Sequence, residues 1–119
     1  MKWSRSFVAV MAVLGIVAFA YLSFGAADEW ANIEQQIRDA RTPADHQALA
    51  AFYEKEAQRA HQLHTTHATM AAAYSAARSM ERKDQAGGDM VFVAKKYQEM
   101  AKGYESLAAI HKTMAEQLK

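Results

Sequence analysis

The sequence predicts an all-α protein: a long antiparallel two-helix hairpin with a short N-terminal helix packed on it, preceded by a signal peptide or transmembrane helix. The 119 residues contain one proline and five glycines, so few positions interrupt a helix. β-Branched residues are few beyond the first 25 positions, which disfavours an extensive sheet. Apolar residues after residue 43 recur at heptad spacing, which is typical of helices packed side by side.

The first 27 residues form a basic and then apolar leader. Lys2 and Arg5 precede 21 uncharged residues, Phe7–Ala27, and small residues end the run. This order is typical of a cleaved secretory signal. At about 1.5 Å per residue the run is also long enough to span a hydrocarbon core of about 30 Å as an uncleaved anchor. Both alternatives place residues 28–119 outside the cytoplasm, either in the periplasm or anchored in the inner membrane.

Two helix starts can be read next. A first helix is predicted over residues 28–41, because its apolar residues fall on one stripe. The stripe consists of Trp30, Ile33, Ile37 and Ala40. Pro43 ends this helix near Arg41, since a proline disfavours helical geometry in the residue before it. Thr42-Pro43-Ala44-Asp45 then predicts a new helix, with a threonine cap, proline at the first helical position and an acid at the third.

The second helix is predicted over residues 43–83, because no helix breaker occurs between these positions. The stretch from Asp84 to Gly88 is typical of a turn, and Asp89 is a suitable cap for a third helix over residues 89–118. A bend at Gly87-Gly88 would fold the second and third helices into an antiparallel hairpin.

Heptad rows predict which residues face each other in this hairpin. Helix three has the rows Met90, Tyr97, Tyr104, His111, Leu118; Val93, Met100, Leu107, Met114; and Ala94, Ala101, Ala108, Ala115. Helix two has the rows Tyr53, Ala60, His67, Tyr74; Leu49, Glu56, Leu63, Met70, Ala77; and Ala50, Ala57, His64, Ala71. Rows of alanine let two helices approach closely. The predicted facing pairs are Tyr74–Tyr97, Met70–Met100, His67–Tyr104, Leu63–Leu107 and Ala60–His111.

A weak internal repeat has a spacing of 44 residues. The stretch from Tyr53 to Ala71 aligns with the stretch from Tyr97 to Ala115, with seven of 19 positions identical. Shared heptad composition contributes to this similarity, so the repeat suggests a duplication without requiring one.

Charge and cysteine content exclude several classes of protein. The chain has 14 Lys+Arg and 13 Asp+Glu; without the two basic leader residues, 12 basic and 13 acidic groups give a formal charge of −1. Nucleic-acid binding and binding to anionic lipid both favour basic patches, and this chain has none. The cysteine count is zero, which excludes disulfides, thiolate metal sites and cysteine nucleophiles.

One histidine-rich cluster is a candidate metal site. In the predicted register His111 faces Ala60, with Glu56 and His64 each one turn away, so these three side chains would converge, with His67 as a further ligand. Nitrogen and oxygen ligands of this kind suit zinc, copper(II) or nickel. The alternatives are a hydrogen-bonded polar layer that fixes the helix register, and a pH-sensitive packing switch. We expect His46 and His61 to be solvated.

The methionines and hydroxyl residues predict no further chemistry. Seven methionines are compatible with copper(I), but most occupy heptad rows, where methionine fills gaps between helices. The serines have no evident base partner, and Gly87-Gly88 follows no strand, so no catalytic set and no phosphate loop is predicted.

Three stretches carry a resemblance to known sequences: Thr42–Ala50, Tyr53–Ala57 and Tyr104–Ala115. In them the chain resembles a group of short exported bacterial proteins with a leader, a Thr-Pro helix start and two alanine-rich helices. The resemblance covers most of residues 42–117 and implies a fold and a compartment but no activity. Related sequences often have a cysteine near the start of the last helix, where this chain has Met90-Val-Phe-Val.

These observations predict a non-enzymatic helical protein of the cell envelope that acts through a protein partner or through a homodimer, with no resident cofactor. The alternatives are a periplasmic metal-binding protein that uses the histidine and glutamate cluster, and a single-pass accessory subunit of a membrane complex, held through residues 7–27 if the leader is uncleaved.

Overall fold

A computed structural model describes residues 29–77 and 81–119 of the chain. Within these ranges the protein is all-α and contains no strand, which confirms the predicted fold class. The helices are α1 (residues 29–39), α2 (Pro43–Ala76) and α3 (Lys83–Gln117). The predicted leader lies outside the described residues. No helix within them is both long and apolar enough to cross a membrane.

The chain divides into two units, one ending at Asp39 and the other running from Ala40 to Lys119. In the first unit, Ile33 is buried, and α1 carries an ion pair between Glu34 and Arg38. The packing of the first helix on the hairpin stays a prediction.

The start of α2 follows the predicted capping pattern. The Asp45 backbone N–H donates to Thr42 Oγ1 at 3.2 Å, and the Thr42 and Arg41 backbone N–H groups donate to Asp45 Oδ2 at 2.9 Å each. These hydrogen bonds hold the pKa of Asp45 below its usual value, and the hydrogen bond from Arg41 has the largest effect. Pro43 occupies the first turn, where its missing N–H costs no helix hydrogen bond.

α2 and α3 form the predicted antiparallel hairpin, but they turn earlier than the sequence suggested. α2 ends at Ala76 rather than near Lys83, and α3 begins at Lys83 rather than at Asp89. Arg82 precedes α3 in the left-handed region, with φ 58° and ψ 22°. The early turn makes the helices nearly equal, at 34 and 35 residues, so α3 reaches the start of α2.

The prediction of a bend at Gly87-Gly88 was wrong because Gly87 has a packing role. It lies seven residues before Ala94 and is the first member of the small-residue row of α3. A Cβ built on Gly87 would lie 3.4 Å from Ser75 Oγ and 3.7 Å from the carbonyl oxygen of Ala71. Gly87 therefore packs directly against α2 beside the turn, at distances where a Cβ would make van der Waals contact.

The new turn shifts the facing partners of His111 and His67 by one heptad. His111 was predicted to face Ala60 but stacks on Tyr53, and His67 was predicted to face Tyr104 but stacks on Tyr97. A shift of seven residues preserves the phase of the heptad rows. The predicted aromatic–histidine and alanine rows were therefore correct, while the predicted register was wrong.

Alanine dominates the contact between the two helices. The small residues that are buried there are Ala50, Ala57, Ala60, Ala71, Gly87, Ala94, Ala101, Ala108 and Ala115. Leu49 is the largest fully buried side chain among the described residues. The prediction that methionines fill the seam was wrong: Met70, Met100 and Met114 are 45%, 46% and 39% exposed, because the alanine rows occupy the seam.

The helical state of the glycine pair can be tested with Gly88→Ala. A Cβ at Gly88 meets no atom within 4 Å, and no described glycine has a positive φ. In a helix, alanine should therefore raise the free energy of unfolding by about 0.5–1 kcal/mol. Gly103→Ala is a matched control, since Gly103 lies within α3 with equally open space. Denaturant unfolding that shows a loss for Gly88→Ala and a gain for Gly103→Ala would contradict the helix at Gly88.

Candidate functional site: an aromatic–histidine layer and a methionine face

Aromatic and histidine rings stack across the two long helices. Tyr53 of α2 lies against two rings of α3: the ring centres are 5.6 Å apart for His111, with an interplanar angle of 13°, and 6.2 Å apart for Tyr104. His67 of α2 stacks on Tyr97 of α3 at 5.2 Å and 10°. We call these residues, together with His46, the aromatic–histidine layer.

The two halves of the internal repeat form equivalent ring contacts in this layer. Adding 44 to Tyr53 gives Tyr97, and subtracting 44 from His111 gives His67. The pair Tyr53–His111 is therefore equivalent to the pair Tyr97–His67, and both are stacked. His61 and Glu105 are also 44 residues apart, and His61 Nε2 lies 2.6 Å from Glu105 Oε1. A pseudo-twofold axis normal to the plane of the hairpin passes near the His61–Glu105 contact and exchanges α2 with α3.

His46 and His111 form a direct pair at the open end of the hairpin. Their Nδ1 atoms are 3.0 Å apart. The ring centres are 5.3 Å apart, which exceeds the nitrogen separation by about two ring radii, and the rings are tilted by only 24°. Both nitrogens therefore lie between the ring centres, as in an in-plane hydrogen bond. One ring must donate and the other accept, so this contact accommodates one proton and not two.

The electrostatics of His111 follow from this arrangement. The side chain is buried, and desolvation lowers its pKa from the usual 6.5; the charge of His46 lowers it further. Under the repeat, the counterpart of His46 is Met90. The paired histidines therefore occur at the open end of the hairpin and not at the equivalent position near the turn.

The predicted metal ligands do not come together. Glu56 is buried and paired with Arg59 Nη1 at 2.9 and 3.2 Å. His64 Nδ1 lies 2.9 Å from the carbonyl oxygen of Ala94, which is 17 residues before His111, or about 25 Å along α3. The convergence of Glu56, His64 and His111 was therefore wrong, as a consequence of the heptad shift.

His67, the fourth predicted ligand, is held by its stack on Tyr97, and its buried Nδ1 has no hydrogen-bond partner among the described residues. Within the same residues, no group of three or more His, Asp or Glu side chains is placed to hold a metal ion.

The residue that sequence reasoning missed is His46. It was expected to be solvated, yet it is half-buried against His111. A sequence signal was present, because His46, Tyr53, Ala60, His67 and Tyr74 follow one another at intervals of seven. The predicted register left this end of α2 without a partner, so the row was read only from Tyr53 onward.

Glu56 is a buried charge next to the aromatic–histidine layer. Its side chain is 6% exposed, whereas that of Arg59 is 39% exposed. Burial raises the pKa of Tyr104, and the charge of Glu56 raises it further. Arg59 therefore compensates a carboxylate that water reaches poorly.

The two sides of the hairpin differ chemically. Around each helix the rows follow in the same order: a methionine and leucine row, then the aromatic–histidine row, then the alanine row. Antiparallel packing consequently places both methionine rows on one side. On the other side, beyond the alanine rows, a hydrogen bond joins His61 to Glu105 and an ion pair joins Glu54 to Lys112.

The apolar side is exposed. We call it the methionine face and define it by five residues that are 38–49% exposed: Met70, Met100, Leu107, Ile110 and Met114. Near the turn it borders an open hollow of about 280 Å³ lined by Met70, Ala73, Tyr74 and Ala77. The hairpin thus has one side closed by polar contacts and one side with uncovered apolar side chains.

Comparison of the chain with protein-family models, with curated proteins and with solved structures finds no match. The resemblance to short exported bacterial proteins therefore stays a prediction. The structure defines a helical hairpin with an apolar face, and the function has to be argued from that face.

The pH dependence of stability should report the burial of His111. Above pH 6.5 the histidine is neutral in both folded and unfolded states. As the pH falls from 6.5 through the lower folded-state pKa, the unfolded state takes up the proton first, so stability is lost. Thermal unfolding of the protein and of His111→Gln between pH 7.5 and 5 measures this contribution. A loss of equal size in both proteins would contradict it.

Removal of the Arg59 charge should be costly. Arg59→Ala leaves Glu56 buried without its cation, so the free energy of unfolding should fall by about 1–3 kcal/mol, between the values typical of exposed and fully buried pairs. The matched control is Lys96→Ala, which breaks an i,i+3 pair with Glu99 whose side chains are 52% and 51% exposed. That variant should change stability by about 0.5 kcal/mol or less. Equal losses in denaturant unfolding would refute the role of burial.

Proposed function

We propose that this protein acts without catalysis, as a helical docking module of the cell envelope that associates with other protein through its methionine face. The observation that carries the proposal is the exposure of five large apolar side chains on one side of a two-helix layer. Soluble monomers rarely leave contiguous apolar patches of this kind uncovered, and such patches mark interaction sites. The envelope location rests on the leader pattern of residues 1–27.

The composition of the face supports docking. Three of its five defining residues are methionines, whose unbranched thioether side chains adapt to an irregular partner surface. Two of the charged residues near the face are neutralised within their own helix, Arg59 by Glu56 and Lys96 by Glu99. A partner surface that is apolar therefore desolvates few unpaired charges when it binds.

The leader leaves two forms of this function open. A cleaved leader gives a diffusible periplasmic protein, whereas an uncleaved Phe7–Ala27 segment gives a single-pass accessory subunit anchored in the inner membrane. Mass spectrometry of the N-terminus of the protein isolated from cells distinguishes the two forms. A metal-binding role through Glu56, His64 and His111 is not proposed, since these side chains lie apart.

The double substitution Leu107→Gln with Met114→Gln tests the proposal. Both side chains are more than one-third exposed, so the hairpin should keep its helix content while association is lost. Chemical crosslinking of the full chain in intact cells, followed by gel analysis, measures association, and circular dichroism of the purified protein measures folding.

The matched control is Val91→Gln. Val91 is 59% exposed. It precedes Met100 by nine residues, which is about two and a half helical turns, so it lies on the side of α3 opposite to the methionine face. Association that persists in the double variant, or that is lost equally in Val91→Gln, would exclude the methionine face as the docking surface.

A further inference from the structure

The internal repeat duplicates a histidine and a methionine that lie three residues apart. His67-Ala-Thr-Met70 aligns with His111-Lys-Thr-Met114, and three of the seven identities in the repeat fall in this short stretch. Residues three apart on a helix are neighbours, so each pair brings an imidazole and a thioether close together. A thioether is a soft ligand that selects Cu(I), and an imidazole also binds copper. The repeated pair is therefore suited to a soft cation.

The methionines of both pairs are accessible from solvent. A core-filling role was expected for them, but Met70 is 45% exposed and Met114 is 39% exposed. Met70 also lines the open hollow near the turn, beside Tyr74. Because the thioether side chain is unbranched and flexible, its sulfur can move to meet a cation that enters from solvent.

His67 holds a free ligand atom in a fixed position. Its ring is held by the stack on Tyr97, with ring centres 5.2 Å apart and an interplanar angle of 10°. Its buried Nδ1 has no hydrogen-bond partner among the described residues. Buried polar atoms are nearly always hydrogen-bonded, and a neutral imidazole nitrogen is a common metal ligand. The His67 nitrogen is therefore available for ligation.

A third ligand follows from the register of the hairpin. Met90 precedes Tyr97 by one heptad in the same row of α3, and it is half-buried. Under the repeat it lies beside His67 as His46 lies beside His111, where the two Nδ1 atoms are 3.0 Å apart. The histidines at the open end are thus paired with each other, whereas near the turn a sulfur stands in the place of the second nitrogen.

We infer that His67, Met70 and Met90 form a binding site for a soft monovalent cation, Cu(I). Zinc prefers imidazole together with thiolate or carboxylate, and calcium prefers oxygen, so a set of one imidazole and two thioethers disfavours both ions. The inference goes beyond docking. Met70 also belongs to the methionine face, but the substitutions that test docking leave all three ligands unchanged.

The experiment measures the binding of Ag(I), an air-stable soft cation that stands in for Cu(I), to the full chain purified in a mild detergent. The methionine methyl groups are isotopically labelled, and silver nitrate is added in chloride-free buffer at neutral pH. The NMR signals of Met70 and Met90 should shift as silver binds. Met100 is the internal control, because it is 46% exposed, against 45% for Met70, and no histidine lies within one turn of it along α3.

Two variants should lose the site. Met70→Leu and His67→Gln should each weaken Ag(I) binding at Met90 by at least roughly tenfold, since loss of even an outer partner of a metal ligand costs about that much affinity. Met100→Leu removes an equally exposed thioether and should leave this affinity unchanged. Zinc(II) added in place of silver should shift neither the Met70 nor the Met90 signal.

Shifts of Met70 and Met90 no larger than that of Met100 would overturn the site. Equal losses of affinity in Met70→Leu and Met100→Leu would also overturn it, because silver would then bind any exposed methionine. Equal shifts with zinc would overturn the choice of a soft cation. Circular dichroism measures the helix content of each variant, and the exposure of Met70 keeps Met70→Leu informative if His67→Gln unfolds the hairpin.

Discussion

Close packing of small residues along one row of each helix is the constraint on which the rest of the hairpin depends. Gly87 of α3 lies against Ala71 of α2, and one heptad further from the turn His64 of α2 lies against Ala94 of α3. The other buried alanines of the two rows follow at intervals of seven residues. Because these side chains occupy so little space, the backbones approach closely, and larger residues must lie to either side of the seam. Gly87 extends the row to the turn, where even a Cβ would be in contact with α2.

The two sides of the seam are consequences of that approach. On one side the rings of Tyr53 and His67 meet rings of α3, and beyond them the methionines face outward. On the opposite side the long polar side chains of Glu54 and His61 reach across to α3. The carboxylate of Glu56 is buried beside the ring layer, and its pairing with Arg59 compensates that charge.

Local chemistry in the sequence was sufficient for the fold class, the capped start of α2 and the heptad rows, because each depends on a few neighbouring residues. The register was not predictable in the same way. It depends on where the chain turns, and Gly87 has two opposite meanings, a helix breaker in isolation and a spacer in a small-residue row. The metal-site prediction was wrong for the same reason as the predicted turn, since moving His111 by one heptad separates it from His64.

In the 44-residue repeat, the position equivalent to His46 is occupied by Met90, and this difference affects how the two helices separate. Exchange of the two helices superposes the two ring stacks, but the His46–His111 pair stands at the open end and Met90 at the equivalent place near the turn. Protonation of His111 therefore destabilises the open end of the hairpin. Amide exchange in mildly acidic solution should accelerate first at the start of α2 and the end of α3, so that the helices separate from the open end while the turn still holds them together.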